Sequence, residues 1–97
     1  MLSKDLKKGN TLVNKFFCNF IADKFLRVFH DQEGNVITQN QYARQCGLSS
    51  STISKLKLED GYDVPMSTIY NLCRYEKISI ATIYIEFEKK YGINILS

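Results

Sequence analysis

The spacing of apolar residues predicts helices over most of the chain. From Thr11 to about His30, apolar residues recur at intervals of three and four, which places them on one helical face. The same spacing predicts a helix from about Ser67 to Glu76, and a last helix that Ser79 caps and Gly92 ends. The residues expected to face the core are Val13, Phe16, Phe17, Phe20, Ile21, Phe25, Leu26 and Val28, then Ile69, Leu72 and Cys73, and finally Ile80, Ile83, Tyr84 and Phe87, with Tyr91 extending the stripe.

Two polar segments interrupt this pattern and predict loops. Gly34-Asn35 is a turn signal within residues 31–36. A hairpin that pairs residues 27–30 with residues 36–37 is an alternative there, although the second run is short for a strand. Between residues 58 and 65, acidic residues, a glycine and the only proline of the chain indicate a second loop.

Two shorter helices are predicted within residues 39–56, separated by a tight turn. Thr38 followed three residues later by Gln41 is a capping box, which starts the first of them. Gly47 ends it, because glycine accepts the left-handed conformation at low cost, and Leu48 is expected to fill the corner. The second helix has several possible N-caps and a narrow inner face. The N-cap candidates are Ser49, Ser50, Ser51 and Thr52, and the inner residues are Ile53 and Leu56.

The outer face of the second short helix admits two interpretations. It consists of small or basic residues, namely Ser50, Ser51, Ser54, Lys55 and Lys57. An ordinary αα-corner with a solvated, serine-rich face is one interpretation. The other is a helix-turn-helix, because small hydroxyl side chains allow close approach to base edges in a major groove about 12 Å wide. Ala43 suits the second, since a small residue lets the two helices cross closely.

The charge distribution favours a polyanionic partner over random surface charge. The formal net charge is only +3, but residues 39–57 carry Arg44, Lys55 and Lys57 and no acid. Acidic residues follow at Glu59, Asp60 and Asp63, and the N-terminal segment adds Lys4, Lys7, Lys8 and Lys15 against Asp5.

Length and composition predict one small domain, 11–97, preceded by a flexible or weakly helical basic arm, 1–10. We expect a cytoplasmic protein, because neither a membrane-spanning run nor a signal peptide is evident. Cys18, Cys46 and Cys73 are widely spaced among apolar residues, so we interpret them as core residues.

The same residue types weigh against a metal site and against an enzyme. A zinc site would need four ligands at short spacings, and the only histidine, His30, lies in no recognisable catalytic motif. A Cys–His pair remains a formal alternative. No catalytic residue, cofactor or metal is expected.

Together, these residues resemble the phage-repressor-like family of DNA-binding domains, the XRE/Cro type. The resemblance covers about residues 16–87. Where the family has Leu-Gly before its last helix, this chain has Glu76-Lys77, and the acids after the second motif helix come about two residues later. The matching positions are Thr38-Gln39, Ala43, Gly47, the segment 49–54 with Thr52-Ile53-Ser54, Gly61, Pro65 and Ile78-Ser79-Ile80.

The resemblance implies a compact five-helix, lambda-repressor-like domain with the helix-turn-helix as helices two and three. It further implies a sequence-specific transcriptional regulator, expected to be a repressor, that binds double-stranded DNA with its second motif helix in the major groove. Gln39 is expected to face a phosphate and Lys55 to contact guanine. The residues expected to bind DNA are Gln39, Arg44, Ser49, Ser50, Ser51, Thr52, Ser54, Lys55 and Lys57.

A homodimer is expected, because one domain of this size covers little DNA. Its surface is either the last helix with the apolar tail residues Ile93, Ile95 and Leu96, or the first helix; alternatively, the tail folds back on its own core. A different hypothesis is an antitoxin-like module that binds a second protein as well as its own operator.

Overall fold

The structure is a computed structural model that describes residues 2–92, with side chains described from Lys8 onwards. Within these residues the chain forms five helices: α1 (Leu2–Phe25), α2 (Gln39–Cys46), α3 (Ser50–Leu56), α4 (Met66–Glu76) and α5 (Ile80–Tyr91). Helix α1 packs on α3 and α5, α2 packs on α3 and α4, and α4 packs on α5. The predicted all-α fold, with the motif as helices two and three, is confirmed for this part of the chain.

Helix α1 begins nearer the N-terminus than the sequence pattern indicates. It starts at Leu2 rather than Thr11, and it passes through Gly9 without a break. A single glycine in a helix costs only about 1 kcal/mol relative to alanine, so it does not by itself end one. The division of the chain into a flexible arm, 1–10, and a domain, 11–97, stays a prediction.

The C-terminal end of α1 is set by the turn that follows it. Backbone N–H···O bonds of 2.9 Å run from Ile37 to Phe29 and from Asp31 to Asn35, closing the predicted turn. The pairing amounts to an isolated bridge, so the hairpin considered from the sequence is reduced to its smallest form. Because these residues pair with one another, α1 ends at Phe25 and not near His30 as predicted.

One hydrophobic core lies between the helices, and most of it was expected from the sequence. The three cysteines are buried free thiols, which confirms their interpretation as core residues. The buried apolar cluster comprises Phe17, Cys18, Phe20, Ile21, Ala22, Leu26, Tyr42, Ala43, Cys46, Ile53, Leu56, Ile69, Leu72, Cys73, Ile83 and Phe87.

Two side chains predicted to face the core lie at the surface instead. Val28 is 57% exposed, because α1 ends before it. Tyr84 is 38% exposed, since its ring stacks on Phe17 at the edge of the core, with 5.4 Å between centroids, while Ile83 and Phe87 fill the interior. The apolar tail 93–97 lies outside the described residues.

Hydrogen bonds join α2 to the end of α4. The fully buried Tyr42 donates a hydrogen bond from Oη to Glu76 Oε2 at 2.6 Å. The Tyr75 ring packs edge-on against Tyr42, and its hydroxyl bonds the His30 carbonyl and the Gln45 amide, each at 2.8 Å. These contacts fix the orientation of the motif relative to α4.

The free energy of unfolding is expected to fall as the pH rises from 9.0 to about 11. Burial raises the pKa of the Cys46 thiol from 9.0 to about 11, and burial together with the Glu76 hydrogen bond raises the pKa of Tyr42. The unfolded chain therefore releases these protons at a lower pH than the folded protein, which destabilises the fold as the pH rises. Urea titrations across this window measure the effect. The Tyr42→Phe variant, which lacks one titrating group, should lose less stability than the parent; an equal loss would contradict the assignment.

The loop before α4 and the turn after it connect the remaining helices. The loop of residues 57–65 rests on α1, where Gly61 has φ 68°. Lys77 adopts a left-handed conformation, φ 59° and ψ 43°, at the position where the family pattern has glycine. Ser79 caps α5 by accepting a hydrogen bond from the Ala81 N–H, as predicted. None of the helices within residues 2–92 combines the length and apolarity that a membrane span requires.

Candidate nucleic-acid interface

The first motif helix, α2, starts with the predicted capping box. Thr38 Oγ1 accepts a hydrogen bond from the Gln41 N–H at 3.1 Å, and Gln41 Oε1 accepts one from the Thr38 N–H at 2.9 Å. Two backbone donors at the helix start are thereby satisfied. The helix buries Tyr42, Ala43 and Cys46, which leaves Gln39 in its first turn beside α3.

The turn between the two motif helices has the conformation predicted from Gly47. This residue is left-handed, with φ 79° and ψ 27°, and its N–H bonds the carbonyls of Ala43 and Arg44. The next N–H, that of Leu48, donates to the Ala43 carbonyl at 2.8 Å. The half-buried Leu48 side chain packs against the core and fills the corner.

Helix α3 presents a small, polar and basic face to solvent. Ser49 is its N-cap, and its Oγ accepts a hydrogen bond from the Thr52 N–H at 3.2 Å. Ile53 and Leu56 are fully buried and hold α3 on the core. Because a helix turns about 100° per residue, the side chains on the opposite side project outwards. These exposed residues are Ser51, Ser54 and Lys55.

The Gln39 amide fastens α2 to α3. Its Nε2 donates to the Ser50 carbonyl and Ser50 Oγ, both at 3.1 Å, and to Ser54 Oγ at 2.9 Å. Its Oε1 accepts a hydrogen bond from Lys57 Nζ at 3.3 Å. The side chain that the sequence assigns to a phosphate is thus engaged within the protein, where it sets the position of α3.

Aromatic rings lie beneath the ammonium groups of both lysines that follow the serines. Lys55 Nζ is 5.8 Å from the centroid of the Tyr62 ring, and Lys57 Nζ is 5.5 Å from that of Phe29. Both distances fall within the cation–π range of about 6 Å. The sequence analysis missed the two rings, because no local pattern links a lysine to an aromatic residue in a neighbouring loop.

The predicted site residues form two groups, and two residues lie outside them: Lys55, which faces the Tyr62 ring, and Arg44. Gln39 gathers Ser50, Ser54 and Lys57 around its amide, as described. Around the N-cap, Ser49 Oγ lies 3.0 Å from Ser51 Oγ and 2.9 Å from Thr52 Oγ1. Arg44 stands apart in the last turn of α2, exposed to solvent, about 7.5 Å of helix rise from Gln39.

The electrostatic character of this surface is positive. Residues 39–57 contain no acid, and the cations Arg44, Lys55 and Lys57 are all exposed. Exposed acids, Glu59 and Asp60, border the surface just beyond α3. A polyanion therefore meets attraction at α3 and repulsion beside it, which restricts how it can be placed.

This arrangement suits binding to a duplex. An exposed helical face with hydroxyl and ammonium donors suits the width and the acceptor pattern of the DNA major groove. In the part of the chain that the structure describes, no group of three or more His, Cys, Asp and Glu side chains is placed to hold a metal ion.

Comparison with known proteins identifies the family. Residues 32–90 match the model of the Cro/C1-type HTH DNA-binding domain, a regulatory DNA-binding family and not an enzyme family. No curated protein and no solved structure matches the chain. The matched segment covers more than half of the sequence and includes α2, α3, α4 and nearly all of α5. The resemblance noted from the sequence is thereby confirmed, and the chain belongs to the Cro/C1-type helix-turn-helix domains, which bind DNA in transcription regulation.

Proposed function

We propose that the protein is a sequence-specific repressor that binds double-stranded DNA with α3 in the major groove. The observation that carries this proposal is the exposed face of Ser51, Ser54 and Lys55, which lacks acidic residues and stands on a helix fixed by Ile53 and Leu56. Such a face offers donors to base edges, while its small serines allow close approach. The cytoplasmic location expected from the sequence stays a prediction.

The proposed contacts divide into base readers and backbone contacts. Ser51 and Lys55 share the outer face at positions i and i+4, so they are the proposed base readers. Arg44 and Lys57 are proposed phosphate contacts, which add affinity without sequence preference. Gln39 supports both groups, since its amide positions α3 while the start of α2 supplies backbone N–H groups that suit a phosphate.

We further propose that the protein binds its operator as a homodimer. A single domain of this size covers little DNA, and a two-fold repeat of half-sites is the common way to gain affinity. Exposed apolar side chains on α5, Tyr84 and Ile85, are 38% and 54% exposed and offer one surface for the contact. A mass measurement of the free protein, repeated with a two-site duplex, tests the state.

An apolar groove favours the antitoxin-like alternative as a second candidate. It lies between α1 and α5, has a volume of about 460 Å³, and is lined chiefly by Val13, Phe17, Val64, Tyr84 and Phe87. A groove of this composition suits an apolar segment of another protein. Co-purification of one stoichiometric partner, with no DNA affinity in its absence, would favour this alternative over the repressor.

The affinity for DNA is expected to fall steeply with salt concentration. A dimer that neutralises about four phosphates per subunit should give a slope of roughly −7 in a plot of log K against log salt. Fluorescence anisotropy with a duplex obtained by selection from random sequences provides the measurement. An affinity that stays constant over a tenfold range of salt would contradict DNA binding through this surface.

Two alanine variants are expected to separate positioning from base reading. Lys55→Ala should cost about 1–3 kcal/mol on the selected duplex and less on a scrambled one, because it removes a contact to a base. Gln39→Ala should weaken binding to both duplexes by a similar factor, because it releases Lys57, a proposed phosphate contact. Equal losses on both duplexes for Lys55→Ala would reduce that residue to a phosphate contact.

A further inference from the structure

The aromatic residue Tyr62 is held beside the exposed face of α3 that carries Ser51, Ser54 and Lys55. Its carbonyl accepts a hydrogen bond from Cys18 Sγ at 3.3 Å, which ties the loop to α1. The side chain of Thr68, a buried residue in the first turn of α4, lies beside its hydroxyl. Tyr62 is thus bonded to α1 through its backbone and lies against α4 with the end of its ring.

The preceding residue, Gly61, packs closely against α1. Gly61 is packed so closely on α1 that a Cβ atom at this position would lie 2.7 Å from the Asn14 carbonyl oxygen and 3.0 Å from Cys18 Cβ. The loop backbone therefore has no room to move towards α1. The Tyr62 ring that follows has a defined position at the C-terminal end of α3.

The Tyr62 ring lies beside Lys55, which has the longer and more flexible side chain of the two proposed base readers. Lys55 carries its ammonium on a long, flexible stem, and holding such a side chain in place on binding costs conformational entropy. Its Nζ lies 5.8 Å from the Tyr62 ring centroid, where the ring attracts a cation. The ring therefore restricts the ammonium before any DNA is present.

We propose that Tyr62 is a positioning residue for base recognition: its ring holds the Lys55 ammonium in the place from which Lys55 contacts its base. The inference rests on the proposed function, because it assumes that α3 reads the major groove. Tyr62 itself contacts no base in this scheme. Its contribution is a lower ordering cost for Lys55, and it should appear only on the duplex that Lys55 recognises.

Binding measurements on a selected and a scrambled duplex test the proposal. Tyr62→Leu removes the ring but keeps an apolar side chain, and it should weaken binding to the selected duplex about two- to tenfold. The scrambled duplex should lose less than the selected one. Tyr62→Phe retains the ring and should bind as the parent does, which separates the contribution of the ring face from that of the hydroxyl.

Two controls complete the design. Tyr70→Leu, the same substitution at a 49% exposed tyrosine on α4, should leave both affinities unchanged. In the Lys55→Ala background, Tyr62→Leu should have no further effect, because the ring then has no ammonium to hold. Thermal melting of each variant shows whether it is folded at the assay temperature.

Several results would overturn the proposal. Equal losses on both duplexes, tighter binding by Tyr62→Leu, failure of Tyr62→Phe to restore affinity, or an undiminished effect in the Lys55→Ala background would each do so. If Tyr62→Leu does not fold, the proposal is tested by NMR of the parent protein. The Lys55 Hε protons should show an upfield ring-current shift that persists in the DNA complex. Loss of this shift on DNA binding would overturn the proposal. If the parent protein binds both duplexes equally well, the proposed function itself is refuted. If the parent prefers the selected duplex and Tyr62→Leu binds both duplexes as the parent does, only the role of Tyr62 is refuted.

Discussion

Replacing Gly61 by alanine should destabilise the protein more than the same substitution at Gly9, Gly34 or Gly47. The residue has φ 68°, which strains an alanine by about 1–2 kcal/mol. The new Cβ would also lie 2.7 Å from the Asn14 carbonyl oxygen and 3.1 Å from Lys15 Cα, so α1 and the loop must separate. Overpacking of this kind costs about 1–3 kcal/mol in addition. Urea denaturation measures the sum.

Gly47→Ala is the matched control for this variant. Gly47 has a similar conformation, φ 79°, but no atom beyond its chain neighbours lies within 4 Å of the position that a Cβ would take. Its substitution should therefore show the backbone strain alone, about 1–2 kcal/mol. If the two variants lose the same free energy of unfolding, the close packing of the loop on α1 is not what makes Gly61 necessary.

Replacing Ser51 by glutamate should abolish DNA binding while leaving the fold intact. Ser51 lies at the exposed start of α3, where a carboxylate interacts favourably with the helix dipole, so melting should be unchanged or slightly higher. In the complex, the same carboxylate would be desolvated against the DNA without a partner. An uncompensated buried charge costs about 3–5 kcal/mol, which predicts a loss of affinity of more than about a hundredfold.

The comparison for this variant is Ser51→Ala, which removes the hydroxyl but adds no charge. Because serine is a weak base reader, we expect the alanine variant to retain most of the affinity. Anisotropy with the selected duplex gives both affinities, and circular dichroism checks folding. A glutamate variant that binds within about tenfold of the parent would show that this face of α3 lies outside the interface.

The exposed face of α3 is held in place by contacts that lie outside α3. Helix α3 is short, so its own hydrogen bonds give it little independent stability. Gln39 fastens it to α2, and Tyr42 joins α2 to Glu76 of α4. A change at these supporting residues is therefore expected to affect DNA binding without touching DNA.

Features that depend on residues close together in the chain could be predicted from the sequence alone. The capping box links Thr38 to Gln41 three residues away, and the left-handed turn at Gly47 reflects the missing side chain of that residue alone. Ile53 and Leu56 share one helical face at their spacing of three, so their burial followed from periodicity. These local interactions can be predicted without knowing how the helices cross.

The positions of the functional side chains depend instead on contacts between residues far apart in the chain. Gln39 meets Ser54, 15 residues away, because α2 crosses α3 at that point, and no local pattern predicts this contact. The end of α1 depends on a pairing between Phe29 and Ile37, not on the apolar pattern that continues past Phe25. Likewise, Lys55 lies over Tyr62 because α1 and α4 fix the loop that carries the ring. Contacts of this kind depend on the relative placement of whole helices, and helical periodicity specifies which face is buried but not which partner it meets.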